Sequence, residues 1–274
     1  MLTVNTNPNA MTALEYLTNT QAQLTQTENA VSTGMTVANA KDNGAVFAIA
    51  QNMRGEVAGY SAVAESLSNG MSTVSVAISA GQSISDLLIQ MKQQALSASD
   101  MSIDTQSRQA LNANFQALMS QISAVVTNAQ FNNVNMINGA TSQITALASA
   151  DGTHRITVQA ENMSLSGSIV TIASTGSIST QAKASAMVAT VEASLNNVDS
   201  SLAKLGSGSA KFSIQSTFVQ NLTDTLSTGI GNLVDANMAS ESAQLTALQT
   251  KQQLGVQALS IANQAPQVVL SLFH

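Results

Sequence analysis

Apolar residues recur three and four apart along most of the chain. Near the front, Leu17, Leu24 and Val31 fall at seven-residue intervals, and Leu14 opens an interleaved row. Near the back, Leu245, Leu248, Leu259 and Ala262 share one face, while Ala247, Leu254, Ala258 and Ile261 make a second. A helix with one apolar stripe packs once; a helix with two needs partners on both sides. Nothing else in the sequence supplies those partners within one molecule. The pattern therefore predicts self-assembly.

The first helix is expected over about residues 9–33, with Pro8 at its start and Gly34 as its stop. Residues 34–58 read as a loop holding a short helix around Phe47–Met53. A helix of roughly 60 Å should follow from about Gly59 to Ser99, with Tyr60, Val63, Leu67, Val74, Ile78 and Leu88 on its broad apolar face. Asp100–Asp104 breaks the pattern. Residues 104–129 then carry the cleanest heptad: Leu111, Phe115, Leu118, Ile122, Val125 and Ala129. The short break predicts an antiparallel helical hairpin.

Between residues 141 and 177 the period changes. Asp151-Gly152 separates Ile144–Ser149 from His154–Gln159, which is a hairpin signal, and Ser168–Ile172 reads as a third strand. Helical pattern resumes near Gln181 with Val188, Val191, Leu195, Val198, Leu202 and Leu205. The glycines at 206 and 208 suggest a flexible point, after which Phe212, Val219, Leu226 and Leu233 recur every seven residues. The last helix is expected over 236–263, ending before Pro266. The fold class expected is mainly α: an elongated antiparallel helical rod, coiled-coil-like, with a small β-hairpin segment and both termini at one end. Three parts are expected: the terminal helices of 1–40 and 236–274, rod helices over 41–140 and 178–235, and the β segment of 141–177.

Composition narrows the function. Only 9% of the 274 residues are charged and 3% are aromatic, so small aliphatic side chains and methionines must fill narrow helix seams. The net charge of -6, with no basic run, argues against a nucleic-acid surface. The absence of cysteine excludes disulfides and thiolate metal sites. Met1–Asn7 has neither a basic start nor an apolar core, so no secretory signal of that type is expected, and no apolar run is long enough to span a membrane.

Catalytic chemistry finds little support. His154 and His274 are the only imidazoles, and they lie in different parts of the chain. Gly206-Ser207-Gly208-Ser209-Ala210-Lys211 lacks the spacing of a phosphate loop and follows a helix rather than a strand. No enzyme activity, cofactor or metal is expected. Asp42 and Asp235 suit intersubunit hydrogen bonding better than acid–base work, which needs a paired site in a pocket.

Several segments carry a family resemblance. Asn5-Thr6-Asn7 with Ala13-Leu14 opens the chain, and Ser32-Thr33-Gly34-Met35-Thr36-Val37-Ala38-Asn39-Ala40-Lys41-Asp42-Asn43-Gly44-Ala45 follows the first helix. Phe131-Asn132-Asn133-Val134-Asn135-Met136-Ile137 closes the second rod helix. Asp235-Ala236-Asn237-Met238-Ala239-Ser240-Glu241 and Ala258-Leu259-Ser260-Ile261-Ala262-Asn263-Gln264-Ala265-Pro266-Gln267 lie near the end. In this order and spacing they resemble bacterial flagellin, in a short form lacking large outer domains. Thr36 stands where the family usually has Arg, while Asn43 and Asn237 stand where it usually has Asp.

The resemblance implies a structural subunit that polymerises into the flagellar filament for swimming motility. The alternative is another secreted helical rod protein, such as a hook–filament junction protein; the complete C-terminal match favours the first. It further implies export through the flagellar secretion channel to an extracellular filament, with the terminal helices forming the inner tubes. Partners implied are other copies of itself and other flagellins, an export chaperone, and cap and hook-junction proteins. The filament interface is expected at Leu14, Leu17, Leu24, Val31, Asp42, Asp235, Leu245, Leu248, Leu254, Leu259 and Ile261. In the family, an innate-immune receptor reads a Leu-Gln-Arg-x-Arg-Glu-Leu run. The matching stretch here is Leu88-Ile89-Gln90-Met91-Lys92-Gln93-Gln94, without arginine, so weak recognition is expected.

Overall fold

A computed structural model describes residues 6–270, with side chains described as far as Gln264. Expectations for residues 1–5 and for His274 fall outside the described residues. Five helices and one hairpin make up the chain: α1 (Pro8–Thr33), α2 (Gly44–Ser99), α3 (Thr105–Asn128), β1 (Gln143–Leu147), β2 (Arg155–Gln159), α4 (Gln181–Val234) and α5 (Met238–Leu270). The expected mainly helical class with a small hairpin is what the chain adopts. It divides into two compact units, one of residues 1–55 and 225–274, the other of residues 56–224.

The larger unit holds the hydrophobic core. On α2, Leu67, Val74, Leu88 and Ala95 form one buried heptad row, and Val63, Ala77, Ile84, Met91 and Ala98 form the other. On α4, Ala184, Val191, Val198, Leu205, Phe212 and Val219 are buried at strict seven-residue intervals. Gly70 lies against Phe212, Gly81 against Leu202, and Lys92 pairs with Glu192 at 3.4 Å, so α2 and α4 run antiparallel at constant register. From α3, Phe115, Met119, Ile122, Val126 and Ala129 join the same core. Its seam is thus centred on Met119 and Val126, while Leu118 and Val125 pack at its edge.

Arg108 closes the α2–α3 connection. Its Nε donates to the Ala98 carbonyl at 2.8 Å, and its Nη2 donates to those of Asp100 at 2.9 Å and Ile103 at 3.4 Å. Asp104 caps α3 by accepting the Ser107 N–H at 3.1 Å. Hydrogen bonding from the Ser107 side chain first, and then from its N–H, holds the Asp104 carboxyl below its usual range.

Four expectations need correction. The loop expected over 34–58 is mostly helix, because α2 begins at Gly44 under an Asn43 cap whose Oδ1 accepts the Val46 N–H at 3.2 Å. The flexible point at Gly206 and Gly208 is uninterrupted helix. Gly208 serves packing instead: a Cβ there would lie 2.5 Å from Val158 Cγ1, so only glycine lets α4 approach the hairpin.

The third strand is absent as well. Over 166–172 the backbone folds on itself, with Ser166 N–H bonded to the Ile172 carbonyl and Gly167 N–H to that of Val170. Side chains of α4 replace a strand partner: Ser194 Oγ accepts the Thr171 N–H at 3.1 Å, and Asn197 Nδ2 donates to the Ile169 carbonyl at 3.2 Å. Ile169, Val170 and Ile172 are all buried, which an alternating half-exposed strand would not allow. Finally, α5 does not end before Pro266 but continues to Leu270.

Within the hairpin, Ile144 pairs with Val158 and Ala146 with Ile156. The turn is held by Asp151, which accepts from Ser149 Oγ and from the backbone and hydroxyl of Thr153. These bonds, led by those of Ser149 and Thr153 side chains, lower its carboxyl from 3.8 to about 2.

Candidate assembly interface

The smaller unit is built on the terminal helices. Asn7 reaches Ala262, Leu17 lies over Gly255, and Gln252 donates to Gln21, so α1 and α5 run antiparallel. Gly255 permits this closeness, since a Cβ there would lie 3.2 Å from Leu17 Cδ1. On α1 the inward positions are Ala13, Leu17, Thr20, Leu24, Thr27 and Val31, a four–three alternation. On α5 they are Glu241, Leu245, Leu248, Gln252, Gly255, Leu259 and Ala262, with the same alternation.

Several of these inward positions, Thr20, Thr27, Glu241, Gln252 and Gly255, are polar or glycine. Among the described side chains of the pair, only Leu24, Thr27, Ala30 and Leu248 are buried. Outside these rows the two helices carry large apolar side chains in the open: Met11 (68% exposed), Tyr16 (70%), Leu254 (59%) and Ile261 (69%), and also Leu14 and Val256. A well-buried pair would not need them, and water does not favour them.

The interface residues expected from sequence thus divide into two sets. Leu17, Leu24, Val31, Leu245, Leu248 and Leu259 face the intrachain seam, wholly or partly covered. Leu14, Leu254 and Ile261 point outward. The row interleaved with Leu17 and Leu24 is not that of Leu14 but that of Ala13, Thr20 and Thr27. Sequence reading missed this because Thr looks polar; in a helix its hydroxyl can bond backward, as those of Thr18 and Thr20 do to the carbonyls four residues earlier, leaving the methyl for packing. Met11, Tyr16 and Val256, which the sequence reading did not single out, are exposed as well.

The two acidic residues lie at the base of the pair. Asp42 Oδ2 accepts from Ala38 N–H at 3.0 Å, Asn39 N–H at 3.1 Å and Asn39 Nδ2 at 3.0 Å, so it organises its own loop. Asp235 bridges to Met35 through the backbone. Around that bridge a small clamp forms: the Val234 carbonyl accepts from Thr36 N–H at 2.8 Å and Thr36 Oγ1 at 3.1 Å, and Ala236 N–H donates to the Gly34 carbonyl at 2.8 Å. Gly34 adopts φ 73°, which ends α1 in the left-handed conformation that glycine allows without strain. Asn237 caps α5, its Oδ1 accepting from Ala239 and Ser240 N–H groups.

No group of three or more acidic or imidazole side chains capable of holding a metal ion occurs among the described residues. No described helix is long and apolar enough to cross a membrane. What the terminal pair offers is two helices with an underfilled seam and uncovered apolar side chains.

Residues 4–142 match the bacterial flagellin N-terminal helical region, and residues 188–273 match the bacterial flagellin C-terminal helical region. The chain is 46% identical to flagellin FljK of Caulobacter vibrioides, across 99% of this chain and 98% of that protein. It is 34% identical to a flagellin of Brucella melitensis over the full length of both. A solved structure described as a flagellar hook-associated protein of Vibrio parahaemolyticus shares the fold: TM-score 0.58 at 13% identity, covering 71% of this chain and 100% of that one. The near-complete coverage at this length accords with a flagellin lacking large outer domains. The chain belongs to the bacterial flagellin family, whose members are structural subunits of the flagellar filament.

Proposed function

We propose that the subunit joins its neighbours through the outward apolar face of the terminal pair, centred on Met11, Leu14, Tyr16, Leu254, Val256 and Ile261. The observation that carries this reading is the exposure of these side chains on helices whose own seam buries so little. Covering one such side chain contributes about 1.5–3 kcal/mol. Six of them amount to roughly 10 kcal/mol per subunit before ordering entropy is subtracted, enough to drive association. In this reading residues 1–40 and 236–274 form the inner tube of a helical polymer, made with itself or with other flagellins. Residues 41–140 and 178–235 form the outer helical layer, and the β segment of 141–177 faces solvent.

Export precedes assembly. The chain leaves the cell unfolded through the flagellar secretion channel, escorted by an export chaperone. It folds at the distal tip beneath the cap, on a base of hook-junction proteins. A sequence without cysteine, and rich in local helical contacts, suits rapid folding after such transit. Swimming motility follows from the filament so built.

The test is substitution on this face. Leu254→Asp and Ile261→Asp should abolish polymerisation while leaving the circular dichroism of the larger unit unchanged, since a charge in a dry seam costs several kcal/mol. Normal filaments from both variants, seen by negative-stain microscopy, would refute the assignment of this face.

A further inference from the structure

Pro266 lies inside α5, four residues short of its last residue Leu270. Proline has no N–H, so the carbonyl four residues earlier loses its helical donor. That carbonyl belongs to Ala262, and it is not left alone. Asn7, 255 positions away in sequence, donates its Nδ2 to the Ala262 oxygen at 2.7 Å. The same amide works at its other end: Asn7 Oδ1 accepts the Ala10 N–H at 3.2 Å, capping α1. One side chain thus satisfies an orphan donor of α1 and an orphan acceptor of α5.

We propose that Asn7 and Pro266 form a latch fixing the axial register of the two terminal helices. In this pairing the proline's role is not to stop α5, which it does not, but to free a carbonyl for the start of α1. Heptad seams are prone to slip by seven residues when the side chains along them are small and polar, and this seam holds Thr20, Thr27, Gln252 and Gly255. At the opposite end the register is fixed by the clamp of Gly34 and Thr36 on Val234 and Ala236. At the far end the tie from Asn7 to the Ala262 carbonyl does the same. Register matters because it sets which α1 residues lie beside Leu254 and Ile261 on the face offered to the next subunit. The latch therefore rests on the assembly reading for its use, though not for its existence within the chain.

Asn7 is a positioning residue, and its chemistry makes the claim testable. Aspartate in its place keeps the α1 cap but cannot donate, and it sets a carboxylate against the Ala262 carbonyl. Pro266→Ala restores the missing N–H, so the Ala262 carbonyl no longer needs Asn7. The experiment is a double-mutant cycle on purified filaments, read as the midpoint temperature of thermal dissociation. Asn7→Asp alone should lower the midpoint by at least about 2 °C, or block assembly, as loss of a partly buried hydrogen bond implies. Combined with Pro266→Ala, the same substitution should be close to neutral, and any block should be relieved. An equal loss with and without Pro266→Ala, or an assembly failure that Pro266→Ala does not relieve, would overturn the latch. An Asn7→Asp protein indistinguishable from the parent would overturn it too. Failure of the outward-face assignment would show instead as filaments from Ile261→Asp, which the cycle does not touch.

Discussion

Single polar side chains set most of the turns in this chain. Arg108 ties three carbonyls of the α2–α3 connection, so Arg108→Ala should destabilise the larger unit by about 1–2 kcal/mol in a denaturant titration. Asp151 offers a pH test. Its carboxyl is lowered to about 2, so the bonds to its ionised form stabilise the hairpin turn above the ordinary carboxylate value and are lost as pH falls through about 2. Amide protection at Thr153 should fade over that acid window, and Asp151→Asn should remove the dependence. Gln90 is exposed, while Lys92 is engaged by Glu192, so this stretch presents no guanidinium. Receptor activation should be weak, with a gain on Gln90→Arg. At this scale the sequence was only partly legible. Thr36, Asn43 and Asn237 stood out as lost charges relative to the family; in the fold Asn43 and Asn237 cap the helices that follow them and Thr36 donates to the Val234 carbonyl at the end of α4, which neutral side chains do as well.

Heptads made the elements legible. The rows of α2 lie where their apolar spacing puts them, as does the row of Val191, Val198 and Leu205 on α4, but Ser194 and Ser201 rather than Leu195 and Leu202 are buried beside it. On α3, Phe115, Ile122 and Ala129 are buried as expected, with Met119 and Val126 in place of Leu118 and Val125. Glycine was the main source of error. Gly206 and Gly208 read as a break because glycine costs about 1 kcal/mol in a helix, yet at Gly208 the hairpin approaches too closely for any Cβ. Gly208→Ala should therefore cost roughly 1–3 kcal/mol, and Val158→Ala in the same chain should recover part of it. The heptad expected at Phe212, Val219, Leu226 and Leu233 also fails in its second half: Leu226 is half-buried and Leu233 exposed, while Val234 beside it is buried. A period of seven slowly drifts around a straight helix of 3.6 residues per turn. Pro266 misled for the opposite reason. Its lost hydrogen bond is real, but Asn7 replaces the donor from a distant part of the chain, and no local reading finds such a partner.

At the scale of the whole molecule, the two units differ in how much they bury. The larger has a continuous core from Val63 to Val219. The terminal pair covers only Leu24, Thr27, Ala30 and Leu248 among its described side chains and leaves its largest apolar ones outside. The need for partners was readable from two-faced helices, whereas which face turns inward was not, because the inward rows are filled with Thr, Gln and Gly. Burial this sparse cannot offset the ordering entropy of two long helices, which stands at about 1–2 kcal/mol per residue for the backbone alone. The pair should therefore gain its stability from neighbouring subunits. Hydrogen exchange compared between verified monomer and filament tests this most directly. Weak protection over residues 8–33 and 238–264 in the monomer, rising strongly in the filament while residues 63–126 stay protected in both, is the expected result. Equal, strong protection of the terminal helices in both states would contradict it.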